Sequence, residues 1–303
     1  MKKERTRRLL TRRNDFVDSF FQLNYSNTHL LYFIFYLAQI NNRLIIELTS
    51  DEIQTELNYI KDYRLRDMII EFAALSGSTE FFIKDFDDKT DGYKIIYPVE
   101  SATFDLNKNK LTVKLNNDIR KYLFDLDDNC TSIDIDVLKN ITGMLVQEKN
   151  VAIKGYEYFK SRFDYYNEKT VYLAIKKDFL MVRLFPFFAT EEVRNAFLKG
   201  EGEKEAIQKA NNLDMPDFHP YLWAAFRKNY LKKVLNYIND NTQLNIEYKM
   251  IRKSYQVSAV LVKIKCGDDY IDNSQGRKFN DQESIFNSLA AKEFETSIRH
   301  PAE

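Results

Sequence analysis

Between Phe218 and Asn239 the chain carries no acidic residue, although acids and bases balance over its length at 45 Asp+Glu and 45 Lys+Arg. The same window holds Arg227, Lys228, Asn229, Lys232, Lys233, Asn236 and Asn239, side chains that reach phosphate oxygens and base edges. Exposed helices ordinarily mix charge signs, because Glu and Lys four residues apart support one another. A run of bases and amides without acids therefore calls for an anionic partner. A second basic group, Lys249, Arg252 and Lys253 with Gln256, surrounds the stretch "RKSY". A third, Lys61, Arg64 and Arg66, borders "DYRLRDMIIEF", where Asp62 and Asp67 compete as intramolecular partners. The first fourteen residues add Lys2, Lys3, Arg5, Arg7, Arg8, Arg12 and Arg13 against Glu4. They read either as a frayed, solvated terminus or as a polycationic arm for phosphates.

Other chemistry is not legible. His29, His219 and His300 stand far apart, and no His-x-His pair exists to hold a divalent metal beside a nucleophilic tyrosine; a strand-nicking initiator nuclease is disfavoured. None of the eight glycines belongs to a G-x-x-x-x-G-K-[ST] loop or a G-x-S-x-G elbow. The Asp pairs at 87–88, 127–128 and 268–269 read as solvated turns. Cys130 and Cys266 read as reduced thiols rather than a disulfide framework. The expectation is a non-enzymatic binding protein with no cofactor and no metal. The longest apolar run, "HLLYFIFYLAQI", is too short for a bilayer, which needs about 20 residues. No apolar signal region follows "MKKERTRRLLTRR" closely, so a soluble, cytoplasmic protein without membrane contact is expected.

The elements that must position these side chains follow from periodicity. At about 100° per residue, "AAFRKNYLKKVLNYIN" gathers Phe226, Tyr230, Leu231, Val234, Leu235, Tyr237 and Ile238 on one half of a helix. Lys228, Asn229, Lys232, Lys233, Asn236 and Asn239 fall on the other half, whereas Arg227 falls among the apolar residues and can act only if the helix start projects beyond the core. The helix runs into "LNIEYKMIRKSYQVSAVLVKIK", which alternates like a two-stranded wing turning near "RKSY".

The amino-terminal half shows the same order more fully. A buried helix opens at the cap-type residues Ser26 and Asn27. "TSDEIQTEL" offers a capping box from Thr49 to Glu52, and "DYRLRDMIIEFAALSG" stops at Gly77. "TEFFIKDF" and "YKIIYPVESATFDL" then read as strands about the turn "DDKTDG", followed by the strand "KLTVKL" and the short helix "NNDIRKYLFDL". Three helices and a hairpin are the order of a winged helix-turn-helix. The second half repeats it loosely, with "SIDIDVLKNITGMLV" and "AIKGYEYFKSRFDYY" helical, "TVYLAIKKDFLMVRLF" mixed, and the charged stretch "ATEEVRNAFLKGEGEKEAIQKANN" before the acid-free helix.

The expected fold class is α+β: two tandem winged-helix domains, mostly helical, with short antiparallel hairpin wings. The expected divisions are a basic arm at 1–14, a first domain at 15–128, a second at 129–266 and a polar tail at 267–303. That tail holds one candidate amphipathic helix at "SIFNSLAAKEF".

The stretch 225–265 resembles the carboxyl-terminal winged helix of plasmid replication initiators that bind repeated origin sites (iterons). The resemblance rests on Phe226, Arg227 and Lys228, Ile238-Asn239, Thr242, Ile246-Glu247-Tyr248, the turn "RKS", and the final strand "SAVLVKIK". Residues 111–141 are similar to the family's interdomain strand, short helix and junction, and "LLYFIFYLAQIN" to its early core helix. Ser254 stands where a wing glycine is common, Tyr237 where a glutamate is often found before Ile-Asn, and 163–215 is longer and more charged than the usual connection. The resemblance implies an initiator that binds direct repeats in double-stranded origin DNA, helps open neighbouring AT-rich DNA, and recruits the host initiator and helicase. It also implies a possible homodimer that represses its own promoter. A tandem winged-helix repressor without a replication role, and an interaction protein whose basic helix binds an acidic partner, are the competing readings.

Overall fold

The computed structural model describes residues 8–17, 19, 23–84, 93–126, 130–139, 141, 144, 146–166, 169–184, 223–253, 256–267, 289–292 and 294. Its contacts divide the chain into two compact units, Met1–Asn150 and Val151–Glu303.

In the first unit, β1 (Leu9–Arg13) runs into α1 (Asn14–Val17) and then α2 (Tyr25–Asn41). Helix α2 is apolar nearly all round, and its residues from His29 to Phe35 are all buried, as expected of a central core helix. Its cap is not Ser26 or Asn27. Asn24 takes the role, its side chain accepting the Asn27 N–H at 2.9 Å. Strand β2 (Ile45–Thr49) leads to α3 (Ser50–Glu56), where the Thr49–Glu52 capping box is formed in full. Helix α4 (Asp62–Ser76) follows and ends at Gly77.

The hairpin after α4 corrects the sequence reading. The long apparent strand at 93–106 is split at Pro98, which has no N–H for a ladder, into β4 (Tyr93–Ile96) and β5 (Val99–Asp105). Among the described residues strand β3 (Phe81–Lys84) pairs with β4 alone; the turn "DDKTDG" lies outside the described residues. The wing proper is β5 with β6 (Lys110–Leu115), and the sheet order is β2-β6-β5. Ile46, Leu48, Leu111, Val113 and Leu115 turn inward from it. The wing turn is fixed by Asp105, whose Oδ1 accepts the N–H groups of Asn107 (3.0 Å) and Lys108 (3.2 Å). Asn109 takes the left-handed φ of 54° that an Asn tolerates. A 3-10 turn (Asn117–Ile119) and α5 (Arg120–Leu123) close the wing region.

Both ends of this unit contribute strands to one small sheet. The basic arm is not free beyond residue 7: β1 pairs antiparallel with β7 (Cys130–Asp134) in the register Leu9↔Asp134 to Arg13↔Cys130. Arg12 is buried with its guanidinium 4.4 Å from the Tyr32 ring centre, and Arg13 is held by Asp15 at 3.1 Å. Arg8 donates to Glu56 (2.8 Å) and Asp136 (3.0 Å). Residues 1–7 lie outside the described residues. Residues 132–134, the start of the stretch that by pattern reads as a helix, belong instead to the strand β7, in which Thr131 and Ile133 alternate inward against β1. The short α6 (Asp136–Lys139) follows, and the division between units falls within α7 (Val146–Tyr166).

A buried polar cluster joins these pieces. Glu56, 3% exposed, accepts from Arg8, from Lys139 (2.9 Å) and from His29 Nε2 (3.1 Å). His29 Nδ1 faces the Tyr59 hydroxyl at 3.1 Å. Burial works to raise the Glu56 carboxyl, yet its hydrogen-bond donors hold it at about 2. Burial, with the cations Lys139 and Arg8 nearby, lowers His29, so the imidazole is neutral. It donates from Nε2 to Glu56 and accepts the Tyr59 hydroxyl at Nδ1.

The second unit repeats the plan. Helix α7 is followed by β8 (Thr170–Lys176) and α8 (Lys177–Leu184). After the stretch 185–222, which lies outside the described residues together with "ATEEVRNAFLKGEGEKEAIQKANN", come α9 (Trp223–Phe226), a π-helical turn (Arg227–Leu231) and α10 (Lys232–Asn241) as one continuous helix. Strands β9 (Leu244–Lys253) and β10 (Gln256–Cys266) complete a sheet of order β8-β10-β9. Both three-stranded sheets therefore place their own last strand in the middle. Gly155 lets α7 approach α10, since a Cβ there would stand 2.6 Å from Val234 Cγ1.

Residues 289–292 and 294 are helical. Their Ala290 and Phe294 cover Leu261 on the outer face of this sheet, with Tyr172 and Ile251 packed around them. That part of the polar tail is a packed element.

Candidate nucleic-acid interface

The helix α9–π–α10 buries Phe226, Tyr230, Leu231, Val234, Leu235, Tyr237 and Ile238 and leaves Arg227, Lys228, Asn229, Lys232 and Lys233 exposed. Lys228, Asn229 and Lys232 make no hydrogen bond or ion pair among the described residues. With no acid before Asp240 to neutralise them, these side chains form a positive, hydrogen-bonding face whose natural complement is a polyanion.

Arg227 belongs to that face against the wheel. In an unbroken α-helix it would share the stripe of Leu231, Val234 and Ile238. The π turn, closed by the Lys232 N–H bonding the Arg227 carbonyl five residues back, takes up one extra residue. Phe226 drops into the core at 0% exposure and Arg227 turns outward. Its guanidinium lies 3.4 Å from Met250 Sδ on β9, which joins the helix start to the wing.

Strand parity sorts the wing residues. Ile246, Tyr248, Met250 and Arg252 share the sheet face that the helix covers, and Arg252 is exposed. Lys249 belongs to the opposite face. It donates to the Phe294 carbonyl, and its ammonium sits 4.1 Å from the Phe294 ring centre. The Lys249 side chain is thereby engaged with the carboxyl-terminal helix. Lys253 ends β9, but its side chain lies outside the described residues, as do those of Ser254, Tyr255 and Gln256.

In the first unit Lys61, Arg64 and Arg66 are all exposed along the start of α4, the helix in the equivalent place. The expected competition does not form, because neither Asp62 nor Asp67 makes an ion pair among the described residues. Lys61 and Arg64 instead flank Tyr63, 68% exposed, at 6.0 and 5.5 Å from its ring centre. Sequence reasoning misses Lys108, which stands 76% exposed at the tip of the β5–β6 wing with Asp105 near it at 3.6 Å. The signal is "DLNKNK", an Asx-type turn followed by bases, and it is masked because the pattern places the wing one hairpin too early.

Among the described residues no helix is long and apolar enough to cross a membrane, and no group of three or more His, Cys, Asp or Glu could hold a metal.

No curated protein matches the chain in sequence. Among solved structures, the Pi initiator protein in complex with iteron DNA superposes with a TM-score of 0.60 at 13% identity, covering 88% of this chain and 100% of that one. Domains 2 and 3 of RctB superpose with a TM-score of 0.40 at 15% identity, covering 81% of this chain and 83% of theirs. The first of these likenesses shows the tandem winged-helix fold. The family model of the initiator replication protein WH1 domain matches residues 9–160, half of the chain, beginning at the strand β1 that the composition disguises as a loose arm. The chain belongs to the family of initiator replication proteins.

Proposed function

We propose that this initiator binds direct repeats in double-stranded plasmid origin DNA, one winged helix per half-site. The observation that carries the reading is the acid-free exposed face Arg227–Lys233, set beside a wing and projecting from the helix that a winged domain uses for the major groove. Lys228, Lys232 and Lys233 serve phosphates, Arg227 and Asn229 serve base edges, and Arg252 and Lys253 serve the wing contact. Lys61, Arg64 and Arg66 do the same work in the first unit. Through the bound repeats the protein would promote opening of the neighbouring duplex and bring in the host initiator and helicase, and a homodimer would suit repression of its own promoter.

The test starts from the DNA flanking the gene. Direct repeats of about 20 base pairs, matching two half-sites one helical turn apart, should be present and should be retarded specifically by the purified chain. Absence of repeats with retained binding to the chain's own promoter would leave a repressor. Failure to bind any duplex would leave the interaction protein with an acidic partner.

A further inference from the structure

The π turn is the structural oddity of the interface. It interrupts an otherwise regular helix where the exposed side chains begin, and it exchanges α-type hydrogen bonds for the wider i→i+5 closure. Such turns act as single-residue insertions in α-helices and concentrate at functional sites. The core does not need the insertion. Removal of one residue from Lys228–Asn229 would let Phe226 keep its buried place four residues before Leu231 in a regular α-helix, and Tyr230, Val234 and Ile238 would be undisturbed. Arg227 would still point outward. The residue made supernumerary by the π turn is thus free of structural duty, and its only distinction is to widen the exposed arc between Arg227 and Lys232.

Asn229 occupies that arc. It is exposed, makes no hydrogen bond among the described residues, and offers an amide donor and a carbonyl acceptor on a short side chain. Asn pairs in bidentate fashion with adenine N6 and N7 in the major groove. We infer that the π turn exists to present Asn229 as a specificity-determining residue that reads an adenine, between the phosphate-binding lysines 228 and 232. The inference rests on the DNA-binding reading above and adds to it the residue, the base and the backbone device.

The experiment uses the full chain in three forms: unaltered, with Asn229 deleted, and Asn229→Ala. Each selects from a pool of randomised duplexes, and melting temperature and affinity for an unrelated duplex are measured alongside. The deletion should melt at or above the temperature of the unaltered chain. Both variants should lose the preference for A·T at one and the same position, a factor of roughly 5 to 150 for one bidentate pair, with the rest of the selected sequence intact. The inference falls if Asn229→Ala selects the same sequence with the same preference, because that variant keeps the π turn and removes only the reader. It also falls if the deletion melts well below the parent, because the extra residue would then belong to the fold. If the unaltered chain selects no sequence at all, the proposed function fails first, and that outcome is distinguishable from the other two.

Discussion

Asn239 and Ile246 hold each other at both polar atoms: the Asn239 Oδ1 accepts the Ile246 N–H at 2.7 Å, and Nδ2 donates to the Ile246 carbonyl at 3.0 Å. The Thr242 hydroxyl accepts the Leu244 N–H at 3.0 Å just before it. Together they fix the angle at which β9 leaves the basic helix. Asn239, which the helical wheel places among side chains offered outward, is a structural clamp. Asn239→Ala should lower stability by about 1–2 kcal/mol, two hydrogen bonds at roughly 1 kcal/mol or less each. Asn239→Asp, which keeps the acceptor alone, should fall between. Denaturant titration of the three chains checks the order.

The exposed lysines differ in kind from that clamp. Replacing Lys228 and Lys232 together by Ala should leave stability nearly unchanged, weaken binding to all duplexes alike, and reduce the salt slope by about 0.9 for each phosphate no longer neutralised. Lys249→Ala should not change the slope, because its ammonium already serves Phe294. Affinity measured at several salt concentrations separates the two, and an unchanged slope in the double variant would remove the lysines from the interface.

Acid should loosen the first unit in two steps. His29 has its folded-state value lowered from 6.5, so the unfolded chain takes up that proton first, and stability falls as pH drops through 6.5. Glu56 is held at about 2 against an ordinary 4.5, so its contribution is complete above 4.5 and is lost between 4.5 and 2. Urea midpoints between pH 7.5 and 4.5 should decline, and His29→Gln should flatten the portion above about pH 5. A midpoint that does not move over this range would contradict the buried neutral imidazole.

Phe294, 1% exposed, anchors the carboxyl-terminal helix over Leu261. Phe294→Ala should cost about 3 kcal/mol, as large-to-small changes in cores do. A chain ending at Gly267 should expose Tyr172, Ile251 and Leu261 and self-associate. Sedimentation of the truncated and full chains checks this, and a truncated chain that stays as stable and as monodisperse as the parent would show the helix to be dispensable.

Footprints should be bipartite. Neutralising Lys61, Arg64 and Arg66 together should erase protection over one half of a repeat of about 20 base pairs, and neutralising Lys228 and Lys232 should erase the other half. Loss of the whole footprint in both variants would point to a single site.

Periodicity alone makes the acid-free helix, its buried stripe, the Thr49 capping box and the order of helices legible. It fails where a local rule is broken for a tertiary reason. The wheel misplaces Arg227 because it assumes 100° at every step, and the π turn departs from that. The strand β1 resembles an arm because Arg12 and Arg13 look solvated in sequence, whereas Tyr32 and Asp15 draw them inside. Lys249 looks like Arg252 by type, and only the alternation of β9 places them on opposite faces. Pro98 is visible as a breaker, yet the apolar residues on both sides of it suggest one continuous strand.

The shared sheet order, β2-β6-β5 and β8-β10-β9, has a consequence for the growing chain on the ribosome. In each of these two sheets the strand synthesised last is the one both others bond to, so its two neighbours have no partner within the sheet until it emerges. A nascent chain halted before Gln256 would hold two unsatisfied strand edges, β8 and β9, the kind of exposed template that invites pairing between chains. Vectorial synthesis therefore closes each three-stranded sheet in a single late event, the amino-terminal one, complete at Leu115, some 140 residues before β10 begins at Gln256, roughly 10 seconds at ordinary elongation rates.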